Sequence, residues 1–233
     1  MMKLPNEKLY AVITGDIVQS SALSPAERRK LLTAIEAASR QIRRILTASV
    51  PLDIDVFRGD SWQMLVTDPS QSLRAALLFR ALLRWQMESH QFDTRIAIGV
   101  GTADLLPRKR VSEGSGEAFR RSGLALDAMK KRRMCFSFPG ADCERPLDVI
   151  VHLLDEIAVR WTDKQSHAVV GAMQGWTQEK IARTWGDPPI TQQTAAQHLE
   201  AAGWYAVDRG IGEFALQLAR VPLRDAPADA IQV

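Results

Sequence analysis

The chain has 233 residues, of which 46% are apolar and 24% are charged. This composition is typical of a globular protein and excludes extended disorder over most of the chain, and the length suits two domains. No apolar run approaches the roughly 20 residues that a membrane-spanning helix needs, and residues 1–5 lack the apolar core of a signal peptide. We therefore expect a soluble, cytoplasmic protein that does not associate with membranes.

Charge is unevenly distributed along the chain. Residues 1–149 hold 23 Lys and Arg against 17 Asp and Glu, whereas residues 150–233 hold 7 against 10. The basic N-terminal part suits a phosphate-bearing ligand, and the acidic C-terminal part argues against strong nucleic-acid binding there. Cys135 and Cys143 match no zinc-binding spacing, so buried or idle thiols are expected.

The first predicted strand and helix have clear boundaries. Residues 9–14 are mostly apolar or β-branched and predict a buried strand that leaves the sheet at a tight turn at Gly15. Ser24 is a good N-cap and Glu27 a good capping-box partner for a helix that ends before Pro51.

The next segments alternate between strand and helix patterns. They predict strands over 53–57 and 62–66, a helix over 71–88, a strand over 95–101, a helix over 117–129 and an edge strand over 133–138. The resulting β-α-β-β-α-β-α-β order predicts an α+β sandwich of the ferredoxin-like type.

Composition changes around residues 141–146, and the chain after this point is predicted to be helical. An amphipathic helix over 147–161 would connect two domains or form a dimer contact, and helices over 164–173, 177–185 and 191–202 form a helix-turn-helix pattern. The predicted units are a domain over 1–140, a helical domain over 141–221 and a disordered tail over 222–233.

Two aspartates are the main candidates for a functional site. Asp16 ends the first apolar run, and Asp60 lies in the predicted hairpin directly after Gly59, which supplies the backbone freedom of a turn. Two neighbouring carboxylates suit a hard divalent cation and its phosphate. The hydroxyls of Ser20 and Ser21 can hold phosphate oxygens, and Gly59 is a further candidate for the phosphate or nucleotide site. The alternative is that both aspartates are only turn residues.

Four segments together resemble the SatD family of bacterial proteins: residues 13–21, 57–63, 95–101 and 114–119. That family is similar to a diverged branch of the class III nucleotidyl cyclase and GGDEF fold, followed by a helix-turn-helix segment. The resemblance implies a nucleotidyl cyclase-like domain in which Asp16, Asp60 and the backbone carbonyl of Ile17 bind Mg²⁺, or Mn²⁺ in its place. It also implies a nucleotide or other phosphorylated ligand, and a homodimer with the site between subunits.

The chain departs from that family at the catalytic helix. Active class III cyclases carry an asparagine and an arginine one turn apart, but alignment of residues 116–119 puts Arg120 at the asparagine position and Leu124 near the arginine position. No asparagine occurs in residues 110–130. Because loss of such donors costs orders of magnitude in rate, we expect binding without turnover.

Several polar and basic residues of this part have two interpretations. Arg120 and Arg121 would clamp phosphate if both point to the same cleft, and with Glu117 they are the candidates for a cyclase or hydrolase with a non-standard site. The basic clusters at 108–110 and 130–133 are either solvated surface or flank the phosphate side of the site.

The helix-turn-helix pattern also has two interpretations. Side chains able to read base edges are Thr191, Gln192, Gln193, Thr194 and Gln197. Few lysines and arginines lie nearby to hold a DNA backbone, so protein interaction or dimerisation is the alternative to DNA binding.

The leading hypothesis is a regulatory protein whose degenerate cyclase-like domain binds Mg²⁺ and a phosphorylated ligand and signals through the C-terminal helices. The alternatives are an active nucleotide cyclase or hydrolase, and a metal-free DNA-binding or scaffold protein.

Overall fold

A computed structural model of the chain describes residues 8–57, 59–88 and 92–221, so the predicted disordered tail lies outside the described residues. Its strands are β1 (Tyr10–Ile17), β2 (Asp55–Phe57), β3 (Ser61–Val66), β4 (Thr94–Gly101) and β5 (Met134–Ser137). They form one sheet in the order β2-β3-β1-β4-β5, in which β1 is antiparallel to β3 and β4, and β5 is parallel to β4. The first four strands have the ferredoxin-like arrangement, which β5 extends by one strand.

Eight helices accompany the described strands. They are α1 (Pro25–Ile45), α2 (Ser72–Met87), α3 (Glu117–Ala128), α4 (Ala141–Ala158), α5 (Asp163–Met173), α6 (Gln178–Arg183), α7 (Gln192–Ala201) and α8 (Trp204–Ala219). The predicted element order of the N-terminal part is confirmed, and the mixed α+β class with it. The capping box before α1 is also present: the Glu27 amide donates to Ser24 Oγ at 3.3 Å, and the Ser24 amide donates to the Glu27 carboxylate at 2.8 Å.

Three details differ from the sequence prediction. The strand β1 does not leave the sheet at Gly15 but continues to Ile17. The helix α4 begins at Ala141 rather than residue 147, and Pro146 lies inside it as its sixth residue. The helix α8 was not predicted as a separate element, because the glycines at 210 and 212 weaken its helical pattern.

The two faces of the sheet are covered by different helices. Alternate residues of β1, including Ala11 and Ile13, belong to the large core that α1 and α2 share with the sheet. Tyr10 and Val12 point to the other face and pack with Ala118 of α3. Since successive side chains of a strand point to opposite faces, β1 is buried on both sides and forms the centre of the sandwich.

The helix α2 packs against both the sheet and the C-terminal helices. It contacts α1, β1 and β4 on one side and α5 and α8 on the other. One hydrophobic core therefore runs from β1 through α2 to α8, and includes Ile13, Phe79 and Phe214. The predicted division at residue 140 stays a prediction. None of the helices in the described part of the chain combines the length and apolarity needed to cross a membrane.

A buried cluster of ions joins α2, the start of β4 and α4. Arg80 donates from Nε and Nη2 to the two carboxylate oxygens of Asp93 at 2.7 Å each, and from Nη1 to Asp155 at 2.7 Å. The other oxygen of Asp155 accepts the amides of Arg133 and Met134 at 2.8 and 3.0 Å. Burial disfavours the charge of Arg80, but the two aspartates outweigh it and raise its pKa.

Arg84, one turn after Arg80, extends this cluster to the end of α4. It donates to the carbonyls of Ala158 at 2.7 Å and Trp161 at 2.9 Å, and its Nη2 lies 3.0 Å from Asp93. These carbonyls lie at the C-terminal end of a helix, where orphan acceptors and the helix dipole favour a cation. Arg84 therefore fixes the end of α4 against α2.

A stack of four aromatic rings holds the connection between α6 and α7. The His167 ring lies between Trp85 of α2, at 3.9 Å between centroids, and Trp185, at 4.3 Å. The His198 ring of α7 stacks on the far side of Trp185 at 5.0 Å. Burial lowers the pKa of His167 to about 4, with the nearby His198 adding to the shift, so the buried ring is neutral at pH 7.

Replacement of Asp155 tests the buried cluster. Asp155→Ala leaves Arg80 and Arg84 to share one buried carboxylate, that of Asp93, and leaves two backbone amides without their acceptor, so the free energy of unfolding should fall by about 3 to 5 kcal/mol. Urea denaturation at pH 7 measures it. The control is Asp208→Ala on the exposed face of α8, which should change stability by no more than about 0.5 kcal/mol. Equal effects of the two substitutions would contradict the structural role of the cluster.

Candidate functional site

Asp16 and Asp60 come together at one end of the sheet. The register between β1 and β3 sets Asp16 opposite Ser61, the residue after Asp60. The amide of Ile17 donates to the carbonyl of Asp60 at 3.2 Å. The strand end and the hairpin turn are therefore neighbours, although more than forty residues separate them in the sequence. We call this place the aspartate corner.

The Asp16 carboxylate is held by Arg95, the second residue of β4. Arg95 Nε donates to Asp16 Oδ1 at 2.8 Å, and its Nη2 donates to Oδ2. The hydrogen bond with Asp16 raises the pKa of Arg95. Because the Arg95 side chain is 33% exposed and that of Asp16 20%, the pair is accessible from solvent.

The Asp60 carboxylate is held by Ser20. Ser20 Oγ donates to Asp60 Oδ2 at 2.5 Å. Ser20 begins a short 3-10 turn, Ser20–Ala22, which follows Gln19 in the left-handed region with φ of 56°. This sharp change of direction brings the chain after β1 back to the hairpin. Ser21, on the same turn, is exposed.

A second arginine, Arg28 of α1, lies over the hairpin. Its Nη2 donates to the carbonyl of Ser20 at 3.4 Å, and its Nη1 lies 3.7 Å from where a Cβ of Gly59 would be. Gly59 has φ of +83°, a conformation that favours glycine. Among the described residues, neighbouring backbone segments of the corner thus carry two carboxylates and two guanidinium groups.

A buried tryptophan supports the backbone of the corner. The Trp62 indole donates from Nε1 to Thr94 Oγ1 at 3.0 Å, and that hydroxyl donates to the Asp16 carbonyl at 2.7 Å. A Cβ on Gly15 would lie only 2.4 Å from both the Trp62 ring and the Arg95 carbonyl. Gly15 is therefore required for close contact between the strand and the ring, and this explains why β1 continues through it.

The sequence prediction missed Arg95, Arg28 and Trp62 as site residues. Arg95 was assigned only to a strand, and its place beside Asp16 follows from the β1–β4 register, which pairs these two residues. Arg28 follows the N-cap of α1 and looks like one of several surface arginines in the sequence. The only available signal was the predicted strand order.

The structure does not bring Arg121 to the aspartate corner. Arg121 Nε donates to Glu117 at 2.9 Å, and its Nη1 donates to the Phe138 carbonyl at 3.4 Å. The Glu117 side chain lies against Gly101, at the end of β4 that is farthest from Arg95. Arg120 is exposed on the same helix. Within one chain, the predicted phosphate clamp and the catalytic candidate Glu117 thus lie at the opposite end of the sheet.

The two basic clusters are partly neutralised. Arg110 donates from Nη2 to Asp55 at 3.0 Å, and Arg132 forms hydrogen bonds of 2.7 to 2.9 Å with Asp148. Burial alone would raise the pKa of Asp55, but hydrogen bonds from Ser112 and Arg110 outweigh it and lower that pKa. These contacts fasten the loops to the fold.

The donor types at the corner fit Mg²⁺. Carboxylate oxygens of Asp16 and Asp60 and the carbonyl of Ile17 are hard ligands, and Mg²⁺ takes few protein ligands and leaves other positions to water or phosphate. Both oxygens of Asp16 accept hydrogen bonds from Arg95, so a cation at this carboxylate would have to compete with Arg95. No group of three or more His, Cys, Asp or Glu suited to a metal occurs in the described residues.

The predicted base-reading residues lie around the start of α7. Thr191 caps this helix by accepting the Thr194 amide at 3.1 Å, and the two hydroxyls lie 2.9 Å apart. Gln192, Gln193 and Gln197 are exposed. Residues 184–191 separate α6 from α7, more than the roughly three or four residues of a DNA-binding helix-turn-helix. The helix-turn-helix assignment stays a prediction.

The fold of the chain is similar to that of solved protein structures. No family model and no curated protein matches the chain. Among solved structures, the fold is similar to that in a crystal structure of the guanylyl cyclase Cya2, with a TM-score of 0.40 and 13% sequence identity. The match covers 55% of this chain and 74% of that chain. Membership of the SatD family stays a prediction, and the function has to be inferred from the side chains of this chain.

Two glycine substitutions with opposite expected effects test the packing of the corner. Gly15→Ala places a methyl group that clashes with the Trp62 ring and with the Arg95 carbonyl oxygen. It should lower the free energy of unfolding by about 1 to 3 kcal/mol. Gly123→Ala in α3 meets nothing within 4 Å. It should raise stability by about 0.5 to 1 kcal/mol, because alanine is the better helix former. Chemical denaturation measures both, and a neutral Gly15→Ala would contradict the described contact.

Proposed function

We propose that the aspartate corner binds a phosphorylated ligand, such as a nucleotide, together with Mg²⁺. The observation that supports this most is the solvent-accessible pair of Asp16 and Arg95 beside Asp60. A purely structural ion pair needs no second carboxylate, second guanidinium or hydroxyl-rich turn around it. Asp60, Arg28 and Ser20 supply these three groups within one small region.

The charges of the corner allow an exchange of partners. The guanidinium fork of arginine matches a carboxylate and a phosphate equally well. On arrival of the ligand, Arg95 transfers from Asp16 to a phosphate group, and Arg28 is placed to contact the same anion. The Asp16 carboxylate is then released, and every charge keeps a partner of opposite sign.

The released carboxylate is what the metal requires. Asp16, Asp60 and the carbonyl of Ile17 would hold Mg²⁺, or Mn²⁺ in its place. When bound, the ion neutralises phosphate charge next to the two aspartates. Ser20 keeps the Asp60 carboxylate oriented, and Ser21 offers a free hydroxyl near the phosphate. In this proposal, the ligand and the metal bind better together than either does alone.

The C-terminal helices are proposed to transmit the bound state to a partner. Asp93 accepts a hydrogen bond from Arg80 and directly precedes Thr94 in the chain. The Thr94 hydroxyl donates a hydrogen bond to the Asp16 carbonyl. A shift at the corner would therefore reach α2 and α4 through few contacts. The partner stays open between DNA and a protein, although the net acidic charge of residues 150–233 favours a protein. A homodimer with the corner between subunits, and a metal-free DNA-binding or scaffold role, also stay predictions.

Catalysis is the weaker proposal for the same corner. Transition-state donors are worth orders of magnitude in rate, so a cyclase or hydrolase needs such donors beside the phosphate. The residues predicted for this role include Glu117 and Arg121, which pair with each other at the far end of the sheet. Binding without turnover is therefore the function that the geometry supports best.

Titration calorimetry tests the proposed site. Wild-type protein in Mg²⁺-containing buffer is titrated with ATP and with GTP, and at least one should bind. Asp16→Asn and Asp60→Asn should each weaken binding by about 10-fold or more, because each removes a charge from the metal site. The control is Asp104→Asn, an exposed aspartate at the opposite end of β4. Absence of binding by both nucleotides, or equal affinity of Asp16→Asn and Asp104→Asn, would contradict the proposal.

Arg95→Gln in the same experiment separates the two roles of the arginine. Loss of the phosphate contact should weaken nucleotide binding by about 10-fold. In buffer without nucleotide, binding of Mn²⁺ should become tighter, since Asp16 no longer has a competing cation. Weaker Mn²⁺ binding by this variant would contradict the exchange of partners.

A further inference from the structure

The outer face of α4 and the turn after it carry an exposed stripe that no described element covers. Its inner face supplies Asp155 to the buried cluster and packs on β5 and α8. The stripe consists of residues spaced three or four apart, all exposed: Asp142, Arg145, Val149, Leu153, Glu156 and Arg160. Val149 is 56% and Leu153 60% exposed. Two large apolar side chains thus lie in the middle of the stripe, between two charged residues on each side.

The four charged residues of the stripe have no ion-pair partner within the described parts of the chain. The salt bridges of α4 involve Asp148 and Asp155, which point elsewhere. From the start of α4 to the turn after it, the residues of the stripe follow the order acid, base, apolar, apolar, acid, base. This order is its own complement when the direction of the helix is reversed: each acid then meets a base and each apolar residue meets an apolar residue.

We propose that this stripe is the contact surface for a second copy of the chain, which packs its own α4 antiparallel across a two-fold axis near residue 151. Val149 then meets Leu153 of the second copy, Asp142 meets Arg160 and Arg145 meets Glu156. Each contact occurs twice, because a two-fold interface uses the same patch on both subunits. This surface is far in sequence from the aspartate corner and does not depend on the proposed ligand site.

The charge pattern selects a second copy over a different partner. A heterologous protein would need only complementarity to the stripe, and nothing in that case requires the stripe to be complementary to itself. The helix dipole also favours an acid near the start of α4 and a base at its end. It does not account for the base at Arg145, the acid at Glu156 or the exposed apolar pair between them.

Sedimentation equilibrium of the full chain tests the proposed contact. A single helix pair buries less area than a standard interface, so the dimer should dissociate between about 1 and 100 µM. Asp142→Arg puts two bases opposite each other twice, and should weaken the dimer by about 10-fold or more. Arg160→Asp should do the same. The double variant, Asp142→Arg with Arg160→Asp, re-forms both pairs and should restore at least most of the wild-type affinity.

The double variant also separates the proposed dimer contact from the explanation that the helix dipole alone accounts for the charges at the two ends of the stripe. Both of its charges are unfavourable to the helix dipole, so a monomeric double variant would overturn the proposal, provided that circular dichroism shows native helix content. Leu153→Glu should abolish the dimer, whereas Leu216→Glu on α8, where the side chain is 55% exposed, should leave it unchanged. A wild-type chain that stays monomeric at about 200 µM, or a dimer that all these variants leave intact, would equally overturn it.

Discussion

The ion pairs of Arg80 with Asp93 and Asp155 are the interaction on which the rest of the structure depends. They connect the central helix α2 to the strand that carries Arg95 and to the helix that begins the C-terminal part. A buried arginine with five donors has to find acceptors in a fixed geometry. The two aspartates supply them for Arg80, and Asp93 with two backbone carbonyls supplies them for Arg84. Any arrangement of α2, β4 and α4 other than the observed one would leave a charge unpaired in the core.

This constraint reaches the aspartate corner through adjacent residues. Asp93 precedes Thr94, whose hydroxyl accepts from Trp62 and donates to the Asp16 carbonyl, and the carbonyl of Asp93 accepts the Val18 amide at 3.0 Å. The position of the aspartate corner is therefore set by the same segment that holds the C-terminal helices. The side chains at the corner itself are different: the pair of Asp16 and Arg95 is accessible, so it is suited to exchange partners while the backbone beneath it stays fixed.

The sequence predicts the local elements well because their signals are local. The capping box of Ser24 and Glu27 and the strand–glycine–strand pattern around Gly59 depend on neighbouring residues alone. The meeting of Asp16 and Asp60 also follows once the hairpin is placed beside β1. Contacts that depend on the register between distant strands cannot be predicted from local signals. The contact of Arg95 with Asp16 is one of these, because it depends on the pairing of β1 with β4.

The remaining differences also have physical causes. Arg80 and Arg84 look like the solvent face of an amphipathic helix, yet α2 is buried on nearly all sides and uses them to bind acids and carbonyls of distant segments. Arg121 was predicted near the ligand because it follows a family-like motif, but the direction of α3 across the sheet takes it to the other end. The helix α4 begins six residues before the predicted start although Pro146, which lies inside it, cannot donate a backbone hydrogen bond.

The most direct test of the aspartate corner is a crystal structure of the chain grown with saturating Mg²⁺ and whichever nucleotide binds in solution. The account predicts a cation between the carboxylates of Asp16 and Asp60, with the Arg95 guanidinium moved from Asp16 to a phosphate oxygen. Nucleotide bound elsewhere, with Arg95 still paired to Asp16, would contradict it.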